Sequence, residues 1–178
     1  MIKIKPSYYN ALLSSLANKN DPRYYLHGIN LTSNYIVASD GVLLTKVIID
    51  TCIEINDDDN IIIIPISIKA KRANKNLKYI LIDIDELQAQ HIDKNDNIIH
   101  IEMFSNIEDN YPNIDRILHK NNKDIEIGYM LNIKSINKVL SSMWVDNAEI
   151  SPLNERCVNV NINDDNIVII STIIQKGK

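Results

Sequence analysis

At 178 residues, 45% of them apolar, the chain is long enough for a true hydrophobic core and too apolar to be disordered. A formal net charge of −4 excludes a protein coated in positive charge, while leaving room for a locally basic face. No apolar stretch follows the lysines of Met1-Ile2-Lys3-Ile4-Lys5-Pro6, and the longest apolar run, Ile61 to Ile64, is far too short for a bilayer; no membrane partner and a cytoplasmic location are expected.

The first predicted element is a helix from Ser7 to Asn18. Tyr9, Leu12, Leu13 and Leu16 recur on one face, and Ser7, Asn10, Ser14 and Asn18 form the outer face. Arg23 to Thr32 alternates as a strand with Tyr25, His27, Ile29 and Leu31 together. Strands over Tyr35 to Ser39 and Leu43 to Ile49 follow, joined by an Asp40-Gly41 turn. A second helix is expected from Ile66 to Leu77, with Ile66, Ala70, Ala73 and Leu77 inward. A third runs from Asn132 to Met143, with Ile133, Ile136, Leu140 and Met143 inward and Asn132 as N-cap. Further strands fall at Tyr79 to Ile84, Ile98 to Met103, Ala148 to Ser151, Val158 to Ile162 and Ile167 to Ile173. Polar turns fall at Asp57 to Asn60 and at Lys94 to Asn97. Their acidic residues lack the spacing of a calcium loop.

The order of a short strand, a helix and several strands occurs three times, beginning near Met1, Ile61 and Ile125. This order implies an α+β fold with helices on one face of a curved antiparallel sheet. Around the second helix Lys71, Arg72 and Lys75 lie away from the apolar stripe, with Lys69 near the boundary; on the third, Lys134 and Lys138 do so. Such faces are either solvated or turned toward a phosphate backbone, which needs cations but no base-reading groups.

Arg23-Tyr24-Tyr25-Leu26-His27-Gly28-Ile29, then Ala38-Ser39-Asp40-Gly41-Val42-Leu43-Leu44, resembles the central domain of the bacterial β sliding clamp family, with its RYYLNG-like segment and ATDGHRL-like hairpin. Ile64-Pro65 is similar to the family's proline before a helix. Tyr111-Pro112-Asn113-Ile114-Asp115-Arg116-Ile117-Leu118 is similar to its FPDYRRVL-like linker, and Ile125 to Tyr129 to the strand opening the second half of its last domain. The four matches, in order, cover nearly the whole chain. The resemblance implies a clamp central domain over 1–118 and half of a last domain over 119–178, without the family's first domain, as in a phage or mobile-element gene. It also implies a processivity factor, with duplex DNA, DNA polymerase and other replication proteins as partners, no cofactor, and a homo-oligomer. Four copies would supply the twelve repeats of a standard ring. DNA contacts would fall to Lys69, Lys71, Arg72, Lys75, Lys134 and Lys138.

A peptide pocket is implied at Leu26, Ser39, Gly41, Val42, Leu43, Leu44, Pro112, Ile117, Ile169, Ile170 and Ser171. Val42-Leu43 replaces the family's His-Arg, which makes that wall more apolar, and the family's Met-Pro-Met ending is absent. These departures keep open a second reading, a clamp-fold decoy or regulator that binds a replication protein and not DNA. An enzyme is not expected, since no Gly-rich phosphate loop, nucleophile elbow or HExxH occurs. The same-face pairs His100/Glu102 and Asp83/Asp85 read as solvent-side residues of an antiparallel sheet. Cys52 and Cys157 read as lone, reduced thiols.

Overall fold

Alternating apolar residues and a proline-started helix open the structure. In the computed structural model, which describes residues 1–49, 61–67, 72–114, 116, 130–154 and 157–174, strand β1 spans Ile2–Ile4 and helix α1 spans Pro6–Ser15. Pro6 occupies the first turn of α1, where its missing N–H costs nothing. A 3₁₀ turn over Tyr24–His27 leads to β2 (Ile29–Leu31), β3 (Tyr35–Ser39) and β4 (Leu43–Ile48). Next come β5 (Ile61–Pro65), β6 (Tyr79–Asp83), β7 (Gln88–Ile92) and β8 (Ile98–Ile107). The last repeat contains β9 (Met130–Leu131), helix α2 (Ile133–Ser142), β10 (Glu149–Asn154), β11 (Cys157–Asn161) and β12 (Ile167–Ile174).

Among the described residues these twelve strands form one antiparallel sheet, in the order β1-β6-β7-β8-β5-β2-β3-β4-β12-β11-β10, with β9 against the end of β12. The first two repeats exchange their opening strands. β1 pairs with β6 of the second repeat, and β5 pairs with β2 of the first. The third repeat joins the first edge to edge, β12 beside β4, with Ile170 opposite Leu44 and Ser171 opposite Leu43. The α+β fold, with helices along one face of the sheet, is therefore as the element order predicts.

Period two then divides each central strand between two cores. On the helix side Ile36, Ala38, Leu43, Val47, Ile167 and Ile169 pack with Tyr9 and Leu12 of α1 and with Ile136 and Val139 of α2. On the opposite side Val37, Leu44 and Ile170 pack with Leu26, Tyr111 and Ile114. Full burial of each such aliphatic side chain contributes about 1.5–3 kcal/mol, so both layers hold the third repeat against the first.

Several local expectations are corrected. Tyr24–His27 is a 3₁₀ turn, not strand, because the chain must press against β5: a Cβ on Gly28 would sit 2.5 Å from Ile62 Cγ2 and 3.0 Å from the Ile63 carbonyl oxygen. The outer face assigned to α1 is partly buried, with Asn10 and Ser14 each 2% exposed. Asn10 reads the backbone at two sites. Its Nδ2 donates to the Ala73 carbonyl at 2.9 Å and the Ser142 carbonyl at 3.1 Å, and its Oδ1 accepts from the Ala73 N–H at 2.7 Å. A polar residue that caps neighbouring chain ends is invisible to a periodicity argument.

In the helix predicted over Ile66 to Leu77, Ile66 and Ser67 lie in a bend and residues 72–77 in irregular chain and a turn, while 68–71 lie outside the described residues. Ala73 and Leu77 are buried as expected, but Ile66 is exposed. The third helix forms as predicted, with Asn132 Oδ1 accepting from the Ser135 N–H at 3.1 Å, although Val139, not Ile133, completes its buried stripe. β7 was not anticipated, because Gln88-Ala89-Gln90-His91 carries too few apolar residues to signal a strand. Cys52, the Asp57 to Asn60 turn and the boundary between 118 and 119 lie outside the described residues.

Candidate functional site

Two concavities of the described residues bear on the positions named above, one on each face of the sheet. The first is a cavity of about 210 Å³ where the β3–β4 turn, the 3₁₀ turn, the segment after β8 and the edge of the third repeat meet. Its geometry starts with the turn. Gly41 has φ 85, a left-handed conformation that suits glycine, and a Cβ there would stand 2.5 Å from Arg23 Nη1. Asp40 Oδ1 accepts from the N–H groups of Val42 (2.9 Å) and Leu43 (2.8 Å), while Ser39 Oγ donates to the Leu43 carbonyl and accepts from the Gly41 N–H. The third repeat grips the same turn, the Thr172 N–H donating to the Val42 carbonyl at 2.8 Å.

At the rim, Arg23 Nε and Nη2 donate to the two Asp21 oxygens at 2.9 and 2.8 Å, and Nη2 also reaches the Asp40 carbonyl at 3.3 Å. This guanidinium holds the Asp21 carboxyl far below the usual carboxylate range, so the pair is ionised and mutually compensated. Inside, Tyr111 is 6% exposed and stands edge-on to Tyr25, with ring centroids 6.1 Å apart. Burial raises its phenol well above the ordinary range, against a smaller lowering by the Ser39 backbone. Among the described residues, no hydrogen bond of acceptable geometry reaches the Tyr111 hydroxyl. The remaining wall is apolar, from Leu26, Leu44, Ile114, Cys157 and Ile170.

Of the predicted pocket positions, Leu26, Ser39, Gly41, Val42, Leu43, Leu44, Pro112 and Ile170 border this cavity. Ile169 does not: it alternates into the helix-side core. Ser171 likewise turns away and is fully buried, so the strand offers Ile170 and Thr172 instead. Ile117 lies outside the described residues. Arg23, Tyr25, Tyr111, Ile114, Cys157 and Thr172 were missed. Period two along β12 could have given Thr172, whereas Cys157 arrives only through the pairing of β11 with β12.

The second concavity is an open groove of about 960 Å³ on the helix side. Arg72, Lys138 and Lys19 line it, together with Leu13, Leu16, Pro65 and His27; Asp40 is the acidic residue at its margin. Arg72 Nη2 donates to Ser14 Oγ at 3.2 Å, which anchors the guanidinium against α1. Arg72 and Lys138 are among the cations expected from the sequence, whereas Lys19 follows the helix and so lies outside its periodic stripe. Lys75 and Lys134 are exposed but border neither concavity, and Lys69 and Lys71 lie outside the described residues.

The acid–base pairs are not where a solvent-side reading puts them. Glu102 is 4% exposed with His100 Nε2 at 3.5 Å, and Asp83 is buried, accepting from the Asp85 and Glu86 N–H groups. Among the described residues no three His, Cys, Asp or Glu side chains cluster as metal ligands, and no helix is long and apolar enough to cross a membrane.

Superposition of the whole described fold on solved structures decides the fold. The DNA polymerase III subunit beta from Pseudomonas aeruginosa superposes with a TM-score of 0.58 at 13% identity, over 98% of this chain and 66% of that one. The fold is that of a DNA sliding clamp. The sliding clamp from Bacillus subtilis matches with a TM-score of 0.53 at 15% identity, over 99% of this chain and 64% of that one. The beta subunit from Thermotoga maritima matches at 0.55 and 12% identity, over 99% and 65% respectively. The chain thus spans about two thirds of the length of the clamps it superposes on. No protein-family model matches the sequence, and no curated protein matches it.

Proposed function

We propose that this chain is a non-catalytic clamp of DNA replication that captures short apolar peptides of replication proteins and, as a closed homo-oligomer, holds duplex DNA against its helix face. The observation that carries this reading is the cavity itself. Residues from four separate segments meet there, and eight of the eleven positions that the clamp resemblance names border it. A cavity of this size is smaller than the roughly 300–1,000 Å³ of drug-sized sites, and it suits one or two apolar side chains of a linear peptide. The groove with Lys19, Arg72 and Lys138 supports the DNA half of the proposal. Cations without base-reading partners suit a phosphate backbone, and enclosure by a ring makes strong local binding unnecessary. A division into a central-type domain over 1–118 and a half domain over 119–178 accords with this role, as does action in the cytoplasm.

The pocket is tested with overlapping peptides from bacterial replicative DNA polymerases, scored against the wild type and Val42→Glu. Val42 borders the cavity and is only half-buried, so a carboxylate there charges the mouth without entering the core. Peptides retained by the wild type and lost by the folded variant support capture at this site. Retention by both proteins, or by neither, contradicts it.

A further inference from the structure

We infer that a third cavity, beside the N-terminal strand, binds an acidic peptide segment that carries an aliphatic side chain next to its carboxylates. This is independent of the clamp reading, because it rests on a different set of side chains. The cavity has a volume of about 330 Å³ and lies where β1 and the start of α1 face the end of β4 and the start of β6. Lys3, Lys5 and Lys78 border it, and among the described residues no Asp or Glu does. Ile4, Ile48 and Ile49 form the apolar part of the wall, and Ile48 is 43% exposed.

Two of the three ammoniums have carboxylate partners behind the lining. Lys5 Nζ lies 3.1 Å from Asp164, and Lys78 Nζ lies 2.7 Å from Asp96. Lys3 differs: its Nζ stands 4.2 Å from the centre of the Tyr79 ring, and among the described residues no carboxylate pairs with it. An aromatic face stabilises a cation without neutralising it, so this ammonium keeps its charge for an incoming anion. Three cations against two carboxylates leave these five groups with one net positive charge, on a chain whose formal net charge is −4. A local field of that sign attracts an acidic partner.

The position favours a peptide over a nucleic acid. Ile2 and Ile4 pack into the core with α1, so period two turns Lys3 to the face of the sheet away from that helix. Ile80 and Ile82 of β6 pack inward in the same way, which turns Tyr79 outward with Lys3. A phosphate backbone lying along the helix face does not reach this pair. A peptide on the outer surface does, its carboxylates meeting the lysines while an aliphatic side chain covers Ile48.

The test titrates the wild-type chain with three capped peptides, in which leucine alternates with glutamate, glutamine or lysine, and with a duplex oligonucleotide, all followed by NMR. The glutamate peptide is expected to bind and to shift the resonances of Lys3, Ile48 and Tyr79. The glutamine peptide should bind about fivefold more weakly at low salt, a difference that shrinks as salt is raised. Lys3→Glu should weaken the glutamate peptide about tenfold, and Lys3→Met, which removes the charge from a straight side chain, about fivefold. Both variants should keep the wild-type melting temperature, and Val42→Glu at the first cavity should leave this binding unchanged. No binding of the glutamate peptide, equal binding of all three peptides, or indifference to both Lys3 variants overturns the inference. So does loss on Val42→Glu alone, which places the peptide in the first cavity. Tighter, Lys3-dependent binding of the duplex than of the glutamate peptide overturns it too, and makes the site one for phosphate.

Discussion

The two faces of the β3–β4–β12 sheet are lined by alternate residues of the same strands and differ in almost every other respect. Ile169 and Ile170 are adjacent and both buried, yet one packs under the helices and the other borders the apolar cavity. The helix face is closed by side chains and polar pins, then opens at one end into a groove with three cations. Among the described residues, the cover of the opposite face comes from a 3₁₀ turn and the segment at Tyr111 and Ile114. A sheet face covered by short segments leaves gaps, and the cavity of about 210 Å³ is one of them, formed apart from the helix-side core.

Truncating those two neighbours separates the faces most directly. Ile169→Ala should cost about 2–5 kcal/mol of stability in chemical denaturation and leave peptide capture unchanged. Ile170→Ala should cost less, because its side chain borders existing space, and should weaken peptide capture. Equal stability losses with equal binding losses would show that the faces are not separate.

Asn10 joins α1 to the chain at Ala73 and to the end of α2, so Asn10→Ala leaves an N–H and two carbonyls without their partner. The expected loss is roughly 1–3 kcal/mol, read from denaturation midpoints. A smaller effect comes from the pin between α1 and the β11–β12 turn. Burial pushes the Asp164 carboxyl up, but the Tyr8 hydroxyl (2.8 and 2.7 Å) and Lys5 ammonium (3.1 Å) outweigh it and hold the carboxyl below 3.8. A depressed carboxyl stabilises the fold above its unfolded value, and the contribution is lost as pH falls through the folded value. Asp164→Asn should therefore cost less than about 1 kcal/mol at neutral pH, given the exposure of Lys5, and the gap from the wild type should close below about pH 3.8. The smallest stability effect, within about 0.5 kcal/mol, is expected for Lys138→Glu on the exposed face of α2.

The sheet and the pocket were largely legible in the sequence, and the helix face was not. Gly41, by its left-handed φ, and Gly28, by the close approach of β5, mark positions that exclude most side chains, so the motifs around them carry a structural meaning. The resemblance named Leu44 and Ile170 together with Ile169 and Ser171, and period two sends the last two to the other face. The helix-side errors have a common cause. Periodicity assumes that polar residues face water, whereas Asn10 and Ser14 are buried because they satisfy Ala73, Ser142 and Arg72. Lys19 and Tyr111 were out of reach for a related reason, since both become important only through chain segments that tertiary contacts bring beside them.

Enclosure of DNA by this chain is tested by loading it on closed circular duplex and then cutting the circle. Solution mass by light scattering should report a closed oligomer. That oligomer should stay with the circle through a salt wash, leave after linearisation, and fail to load when Lys19, Arg72 and Lys138 are all changed to Glu. A monomer or dimer whose mass is indifferent to circular DNA would contradict enclosure and leave the peptide pocket as the only working surface of the two.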